Sequence, residues 1–444
     1  MSATSNETEM ASPAVGDFPV SERDQDRNVL LFGAVTALFY LSSSVLLVGR
    51  LQAALCKSLG ASDTVSNLPG SAYLVMAASP LFVACIFPQV ALLKRILVIC
   101  YSLLTLMGAL VVLALVLPIE NDIKIVIVVL QGAVTGATLT TATMFLFEVI
   151  SRGAVESKRG RALSLGYGRG PILGFLAALS LQLFLDGKSF GVTITPIPPP
   201  WNFAIPFAFS VPVMALSAWL CTKFVIAPVA VEHTRQPFFS SVFGGLGEFL
   251  RDRVLLMITI IGILSFWGFS IGDNMTLYTK EVLGVAPEKL VGYQLALRFA
   301  FKIASGLCMG WLLTRTSPRA TMMATALFGF IGIVWAMVAT GNWFLLSFGL
   351  FGAGELFGVY MSNYVLSASS KAHTRRNMGF TSLMMFTAAP AGALFGKISD
   401  HYGEIYSRAT GFRLSFAAAL AFMGLVIVLN FFVPAKPHPP EEPV

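Results

Sequence analysis

Twelve apolar runs, each about 18 to 27 residues long, dominate this sequence, and they limit the fold more than any other feature. A helix that crosses a bilayer needs about 20 such residues, and inside lipid every backbone polar group must be hydrogen-bonded within the protein. With 56% hydrophobic and 12% charged residues among 444, the chain is not a water-soluble domain. We predict an all-α polytopic membrane protein with twelve transmembrane helices, at 28–54, 68–90, 96–118, 123–149, 162–186, 202–226, 254–279, 290–313, 320–340, 343–367, 378–398 and 411–434.

The spans divide into two sets of six around a more polar segment. Residues 227–253 carry several charges and are predicted to form a cytoplasmic linker between an N-terminal six-helix bundle, 28–226, and a C-terminal one, 254–434. Residues 1–27 are polar and lack an apolar core with a cleavage site, so they are predicted to be a disordered cytoplasmic tail. A second cytoplasmic tail is predicted at 435–444.

The net charge of +7 reflects membrane topology rather than nucleic-acid binding, because the basic residues lie in short loops and form no continuous stripe. If the N-terminus is inside, roughly twice as many Lys and Arg residues face the cytoplasm as face the outside. This distribution predicts a multi-pass protein in a lipid bilayer with both termini cytoplasmic. The compact chain with short loops suggests the inner membrane of a bacterium.

Four ionisable residues lie deep within the predicted spans: Arg169, Arg298, Lys302 and Glu355. Arg298 and Lys302 are four residues apart on one helical face, where a buried charge costs at least about 2.5 kcal/mol. Three cations and one acid would attract an anionic substrate such as a carboxylate or phosphate. The alternative is a structural bridge from Arg298 to Glu355, with Lys302 extending its ammonium group toward water.

No pattern in the sequence indicates an enzyme, a cofactor or a metal site. The five cysteines lie in or beside apolar spans without metal-ligand spacing, and none of the four histidines lies inside a span. A nucleophile triad and a phosphate-binding loop are also missing from the sequence. We therefore expect no catalytic residues, no cofactor and no metal.

Several motifs resemble those of the major facilitator superfamily of secondary transporters. Leu130-Gln131-Gly132-Ala133 and Leu350-Phe351-Gly352-Ala353 form a weak internal repeat 220 residues apart. Gln131-Gly132 is similar to the end of the family's Arg-x-x-Gln-Gly pattern, although Val128 replaces its arginine, and only Lys94-Arg95 remains of the family's loop motif between helices two and three. The resemblance covers nearly the whole chain and implies two parallel six-helix bundles related by pseudo-symmetry, which alternate access by rocking.

The resemblance also implies roles for particular residues. In that fold helices four, seven and ten line the central cavity and helices five and eight face each other, so the four deep charges would share one aqueous pocket. Glu148 with Arg159 or Arg161 is similar to the family's cytoplasmic latch, with a solvated loop as the alternative. The glycine-proline stretch in helix five suits close helix packing and bending, through Gly168, Gly170, Pro171 and Gly174.

Two charged residues near the predicted outer ends of helices, Asp273 and Arg50, would form an outer gate, or else are interfacial groups in water. The functional hypothesis is a secondary transporter of a small organic anion, with Glu355 coupling transport to protons. The first alternative is an exporter of amphiphilic or drug-like compounds, which the glycine-proline stretch, 36 Phe and 17 Met suggest. The second is a transporter-like sensor or assembly factor that moves no solute.

Overall fold

The structure is a computed structural model, and it describes residues 20–87, 89–226, 246–369 and 374–435. Helices make up almost all of this part of the chain. One short antiparallel hairpin, β1 (Lys188–Ser189) with β2 (Val192–Thr193), lies in the connection between the fifth and sixth spans. The predicted all-α architecture is therefore confirmed.

The first half contains ten helices and a five-residue π-helical turn, Ser164–Gly168. The helices are α1 (Glu22–Leu46), α2 (Arg50–Ser58), α3 (Asp63–Ser66), α4 (Leu68–Met76), α5 (Ser79–Ile86), α6 (Leu93–Val116), α7 (Asn121–Gly153), α8 (Glu156–Leu163), α9 (Gly170–Asp186) and α10 (Trp201–Cys221).

The second half continues the numbering. Its helices are α11 (Arg253–Phe269), α12 (Gly272–Leu283), α13 (Val291–Arg315), α14 (Pro318–Val338), α15 (Leu346–Gly354), α16 (Phe357–Ala368), α17 (Thr374–Thr387), α18 (Ala389–Ile405) and α19 (Arg408–Asn430). Short 3₁₀ turns precede α6, α13 and α15, at Val90–Leu92, Pro287–Leu290 and Gly341–Leu345.

Eleven helical stretches in the described residues are long and apolar enough to cross a membrane. They coincide with eleven of the twelve predicted spans. The remaining predicted span, 378–398, falls on α17 and α18, which are 14 and 17 residues long and separated at Ala388. Pro390, at the start of α18, lacks the N–H that would continue the α17 hydrogen-bond ladder.

The first helix begins earlier than predicted, and parts of the predicted linker and tails are not described. The first helix begins at Glu22, within the predicted tail, because the Ser21 side chain accepts a hydrogen bond from the Asp24 N–H and caps the helix. Of the predicted linker, 227–245 lies outside the described residues, and α11 begins at Arg253 with Asp252 as its cap. Residues 1–19 and 436–444, which hold most of the predicted tails, also lie outside the described part.

Several spans are broken within their length, among them the first, the seventh and the tenth. The first is interrupted between α1 and α2, the seventh between α11 and α12, and the tenth between α15 and α16. The first break is at Gly49, whose φ of +142° few residues other than glycine adopt. Breaks in membrane helices leave backbone groups without helical partners, so they are tolerated where protein or an internal cavity surrounds them.

The weak sequence repeat corresponds to the same contact in both halves. Gly132 of α7 packs directly on the backbone carbonyl of Pro69 in α4, and Gly352 of α15 packs on the backbone carbonyl of Arg298 in α13. A Cβ at Gly352 would lie 2.7 Å from the Arg298 carbonyl oxygen. Span four thus crosses span two as span ten crosses span eight, and glycine permits both close crossings.

A cluster of buried hydrophobic residues lies between the two halves. It joins residues of α2, α6, α7, α9 and α10 with Val291, Leu295, Ala296 and Phe299 of α13. The Phe299 ring also lies against Gly174, with ring atoms 3.1 Å from the position of a Cβ at this glycine. Helix α13 therefore packs on the first half through a face that includes Phe299, the residue after Arg298.

Candidate functional site

The centre of the site is the Glu355 carboxylate, which three cations surround. Its Oε2 accepts hydrogen bonds from Arg298 Nε at 2.5 Å and lies 2.6 Å from Lys302 Nζ, while Oε1 lies 3.3 Å from Arg50 Nη2. The Glu355 and Arg298 side chains are each 15% exposed and Lys302 is 21% exposed. Glu355 itself follows the last residue of α15 at the break in the tenth span.

Arg298 and Lys302 reach this carboxylate from successive turns of one helix. Their spacing of four residues places both on the same face of α13, opposite the break between α15 and α16. The structure thus brings together three of the four deep charges that the sequence singles out.

Arg169 does not join them. It is exposed and is the N-cap residue of α9, directly after the π-helical turn. A π turn carries an extra residue and rotates the following positions about the helix axis, so the direction expected from a regular helix is wrong here. The prediction that all four charges share one pocket is corrected accordingly.

Arg50 lies deeper than its predicted place near the outer end of the first helix. The first span runs on to Ser58, so Arg50 is at the N-terminus of α2, about 12 Å before that end. Its side chain is 4% exposed, and its guanidinium lies 5.5 Å from the Phe351 ring centroid. Arg50 Nε is buried without a hydrogen-bond partner among the described residues. Arg50 is therefore part of the central cluster.

Asp273 also lies beside this cluster, at the break in the seventh span. A Cβ at Gly49 or at Gly70 would lie 2.6 Å from one of its carboxylate oxygens, so two glycines let the first half approach the carboxylate closely. This position puts a negative charge at the N-terminus of α2, which is a favourable arrangement. Arg50, Asp273 and Glu355 thus occupy the breaks of spans one, seven and ten.

At the predicted cytoplasmic end, Glu148 pairs with Arg152 one turn later in α7, at 2.9 Å. Arg159 instead donates to the backbone carbonyls of Ser151 and Ala154, at 2.6 and 3.0 Å, and Arg161 is exposed. The predicted pairing of Glu148 with Arg159 or Arg161 is therefore replaced by a pairing within the helix. The reason is that Arg159 satisfies the free carbonyls at the end of α7.

At the opposite end, ion pairs join the two halves. The fully buried Asp63 carboxylate binds Arg408 of α19, and also Lys57 of its own half at 2.6 Å. Asp400 of α18 accepts hydrogen bonds from the backbone N–H groups of Asp63 and Thr64, at 3.0 and 2.8 Å, and from the Thr64 hydroxyl. Burial alone would raise the pKa of Asp400, but these hydrogen bonds and the nearby Lys57 hold it below its usual value.

Two amide side chains, both fully buried, make further contacts between the halves. Asn67 donates to Asn274 Oδ1 at 2.7 Å. Gln182 of α9 donates to the Lys289 carbonyl and accepts from the Tyr293 N–H. These residues and the Asp63 group close the predicted outer end. The sequence analysis did not find this closure, because each contact between the halves joins positions that are more than 100 residues apart.

The glycine-proline stretch packs helix five against helix one. Gly170 lies directly on the Tyr40 ring, and Gly174 lies near Ser43 and Phe299. Pro171 is in the first turn of α9, where its missing N–H has no helical partner to lose, and Gly168 ends the π turn. No group of three or more His, Cys, Asp or Glu residues within the described ranges is arranged to hold a metal.

A search of protein families and of curated proteins finds no match to the sequence. Solved structures, in contrast, match over nearly the whole chain. A D-xylose–proton symporter is 14% identical, with a TM-score of 0.69, over 92% of this chain and 98% of that one. The nucleoside transporter NupG is 12% identical, with a TM-score of 0.64, over 91% and 98%.

A third structure is a bacterial homologue of the human drug peptide transporters PepT1 and PepT2. It is 14% identical, with a TM-score of 0.64, over 92% of this chain and 97% of that one. Identities this low establish the fold alone. Together with the eleven apolar spans, they show that this chain shares the fold of these solved transporters, which is the fold that the resemblance to the major facilitator superfamily implies.

Proposed function

We propose that this protein is a secondary active transporter of a small organic anion. The observation that carries the proposal is the cationic cluster around Glu355, which lies at the breaks of three spans and between the two halves. Three cations face the carboxylates of Glu355 and Asp273, so the group has one positive charge in excess. A buried excess charge in a membrane protein is costly, and a bound monoanion would neutralise it.

The hydrogen-bond donors of the three cations also suit a bound anion. The three cations give only part of their hydrogen-bonding capacity to Glu355, and Arg50 Nε is buried without a partner in the described residues. Arginine presents several N–H groups in a planar fork that suits a carboxylate or a phosphate. A small anion between Arg50 and Arg298 would use donors from both halves of the protein.

The contacts between the halves support alternating access. The predicted outer end is closed by Asp63 with Arg408 and by the buried amides, whereas a cavity extends from the central region toward Glu148 and Arg159 at the other end. Rocking of the halves would break the outer contacts and the link from Arg50 to Glu355 together.

Proton coupling through Glu355 is part of the proposal. Two of its cations belong to its own half, while Arg50 belongs to the other half. When the halves separate at this point, Glu355 loses one of its three cations, and this is the step at which we expect it to bind a proton. Glu355→Gln should then abolish the pH dependence of uptake, and a full pH response in this variant would refute the coupling.

The comparison structures support transport of small solutes by this fold, although their described substrates differ: a sugar, a nucleoside and peptides. The anionic character of the solute rests on the cluster alone. The proposal includes a bacterial inner membrane as the location, with both termini in the cytoplasm, as the distribution of basic residues predicts.

The first test is stabilisation of the purified protein by ligands. Small anions, cations and neutral solutes would be compared in thermal unfolding of the wild type, Arg298→Ala and Lys302→Ala, with the exposed Lys280→Ala as the matched control. A ligand at one hundred times its dissociation constant stabilises by about 2.7 kcal/mol. We expect an anion to stabilise the wild type and Lys280→Ala but neither cluster variant.

Two results would contradict the proposal. Stabilisation by cationic or neutral compounds alone, equal in all variants, would make the cluster structural and favour an exporter of amphiphilic compounds. A protein that moves no solute in vesicles and purifies with a stable partner would favour a sensor or an assembly factor.

A further inference from the structure

A cavity of about 1010 Å³ lies along the first half of the protein, with Met385 as its lining residue from the second half, and most of its wall is apolar. It is bounded by α1, α4, α5, α7 and the π turn of the first half, and by Met385 of α17 in the second. Its volume is larger than a small inorganic anion requires, and it corresponds to the upper range of pockets for organic ligands.

Two aromatic rings in the wall are stacked and open to the cavity. The Phe147 and Tyr167 rings have centroids 5.6 Å apart and planes 5° apart. Phe147 is 42% exposed and Tyr167 is 37% exposed, and both line the cavity rather than the core. Apolar rings that remain uncovered inside a protein mark a binding surface, and a planar ligand would bury them.

The backbone holds Tyr167 in this position. Tyr167 lies in the π turn Ser164–Gly168, and π turns within helices occur frequently at functional sites. Behind the turn, Thr36 of α1 lies 3.1 Å from the position of a Cβ at Gly166, and the Tyr40 ring lies against Gly170. Because α1 fills the space behind the turn, the tyrosine ring faces the cavity.

The aromatic wall leads toward the cationic cluster. Tyr167 contacts Tyr40 at a centroid distance of 6.5 Å, and Tyr40 contacts Phe299, the neighbour of Arg298, at 6.4 Å. On the other wall Tyr73 lines the cavity and lies close enough to Arg298 to interact with its charge. The aromatic wall of the cavity and the cationic cluster are thus neighbours, although the cluster's own residues do not line the cavity.

We propose that the cavity selects amphiphilic organic anions with a planar aromatic body, such as aromatic carboxylates. The aromatic body stacks on Phe147 and Tyr167, and the anionic group points past Tyr73 toward Arg298. This inference rests on the proposed anion transport and adds the chemical class of the solute. The cations at the predicted cytoplasmic mouth, Arg152 and Arg159, outnumber Glu148 there and favour entry of an anion.

The test compares three probes that separate the ring from the charge: 2-naphthoate, the neutral 2-naphthalenemethanol, and acetate. Binding to the full-length protein in nanodiscs would be measured by equilibrium dialysis, with empty nanodiscs as the blank. The variants are Tyr167→Ala, Tyr167→Phe and Phe147→Leu. Phe209→Ala, at an exposed ring outside the cavity wall, is the matched control.

We expect naphthoate to bind more tightly than acetate and more tightly than the neutral alcohol. Loss of stacking in Tyr167→Ala should weaken naphthoate binding about three- to tenfold, while Tyr167→Phe and Phe209→Ala remain near wild type. Acetate binding should not change in Tyr167→Ala. Arg298→Ala should weaken the binding of both anions. Phe147→Leu tests the loss of stacking a second time, in case the Tyr167→Ala protein does not fold.

The failures of the two proposals are distinguishable. If naphthoate and acetate bind equally, and the ring variants change neither, the aromatic inference is overturned while anion binding stands. If the neutral alcohol binds as tightly as naphthoate and Arg298→Ala has no effect, the anion proposal fails as well. If no probe binds, both are overturned for this class of solute.

Discussion

Arg50 Nη2 lies 3.3 Å from Glu355 Oε1, and this contact joins the two halves of the protein at the centre of the membrane-spanning region. The other two cations on Glu355, Arg298 and Lys302, belong to its own half. Glu355 thus has two cationic partners in its own half and one in the other half. In the proposed alternating access, a rearrangement of the halves would remove the Arg50 contact and leave the other two.

Removing this contact should open the predicted outer end more often. We expect Arg50→Ala to raise the labelling rate of a cysteine at Ser71 by about tenfold, because a buried pair between the halves is lost. The Ser71 hydroxyl is buried without a described partner, and it lies 3.4 Å from the position of a Cβ at Gly392 in the other half. The measurement is labelling from outside with an impermeant maleimide, in a chain whose five native cysteines are replaced.

The matched control is Arg413→Ala. Arg413 donates to the Tyr278 hydroxyl at 3.1 Å, and both residues belong to the second half. Equal labelling in the Arg50 and Arg413 variants would show that the contact to Glu355 does not hold the halves together.

The Asp63 carboxylate offers a sharper comparison, because its two cations come from different halves. Arg408→Ala removes the contact between the halves, whereas Lys57→Ala removes a contact within the first half. We expect Arg408→Ala, but not Lys57→Ala, to raise outside labelling at Ser71, by up to about tenfold for a partly exposed pair. If the two variants behave alike, the Asp63 group supports local structure and does not act as a gate.

Asp400 should make part of the stability dependent on pH. Its pKa is lower in the folded protein than in the unfolded chain, so its contribution is complete above about pH 4, the unfolded value, and declines as pH falls through the lower folded value. We expect the difference in melting temperature between the wild type and Asp400→Asn to be constant from about pH 5 to 8 and to shrink below about pH 4. A difference that instead grows on acidification would contradict this sign.

The repeated glycine crossings should tolerate no side chain. Gly132→Ala and Gly352→Ala would each place a methyl group on a backbone carbonyl, and we expect each to lower the free energy of unfolding by about 1–3 kcal/mol. Gly310→Ala, where nothing lies within 4 Å, should be neutral or stabilising by up to about 1 kcal/mol because alanine favours helix. Thermal unfolding of the three variants checks this. Equal losses at all three positions would argue against close crossing.

The sequence predicted the spans well because each span is a local pattern. Eleven of the twelve runs became helices of sufficient length and hydropathy, and depths counted at 1.5 Å per residue placed Glu355 level with Lys302, which lies 2.6 Å from it. The repeat at Gly132 and Gly352 was visible as four residues, although only the structure shows that each glycine meets a carbonyl.

What the sequence did not reveal depends on helix breaks and on distant contacts. A regular helix would place Arg169 in the pocket, but the π turn changes its direction. The predicted bounds put Arg50 near the outer surface, but the first span continues to Ser58 and leaves Arg50 deeper. Asp63 and Arg408 are 345 residues apart, and each looks like an ordinary loop charge in the sequence. Such a pair becomes evident only when the two halves are placed against each other.

The single excess positive charge at the centre has a consequence for energetics under a membrane voltage. When the halves rock, the site exchanges contact with one aqueous phase for contact with the other, so its net charge crosses most of the electric field. An empty site with three cations and two carboxylates would carry one charge through that field, worth about 2.3 kcal/mol per 100 mV, whereas a site holding a monoanion would carry none. The membrane potential would then act on the reorientation of the empty carrier, and on the loaded step only when Glu355 also carries a proton.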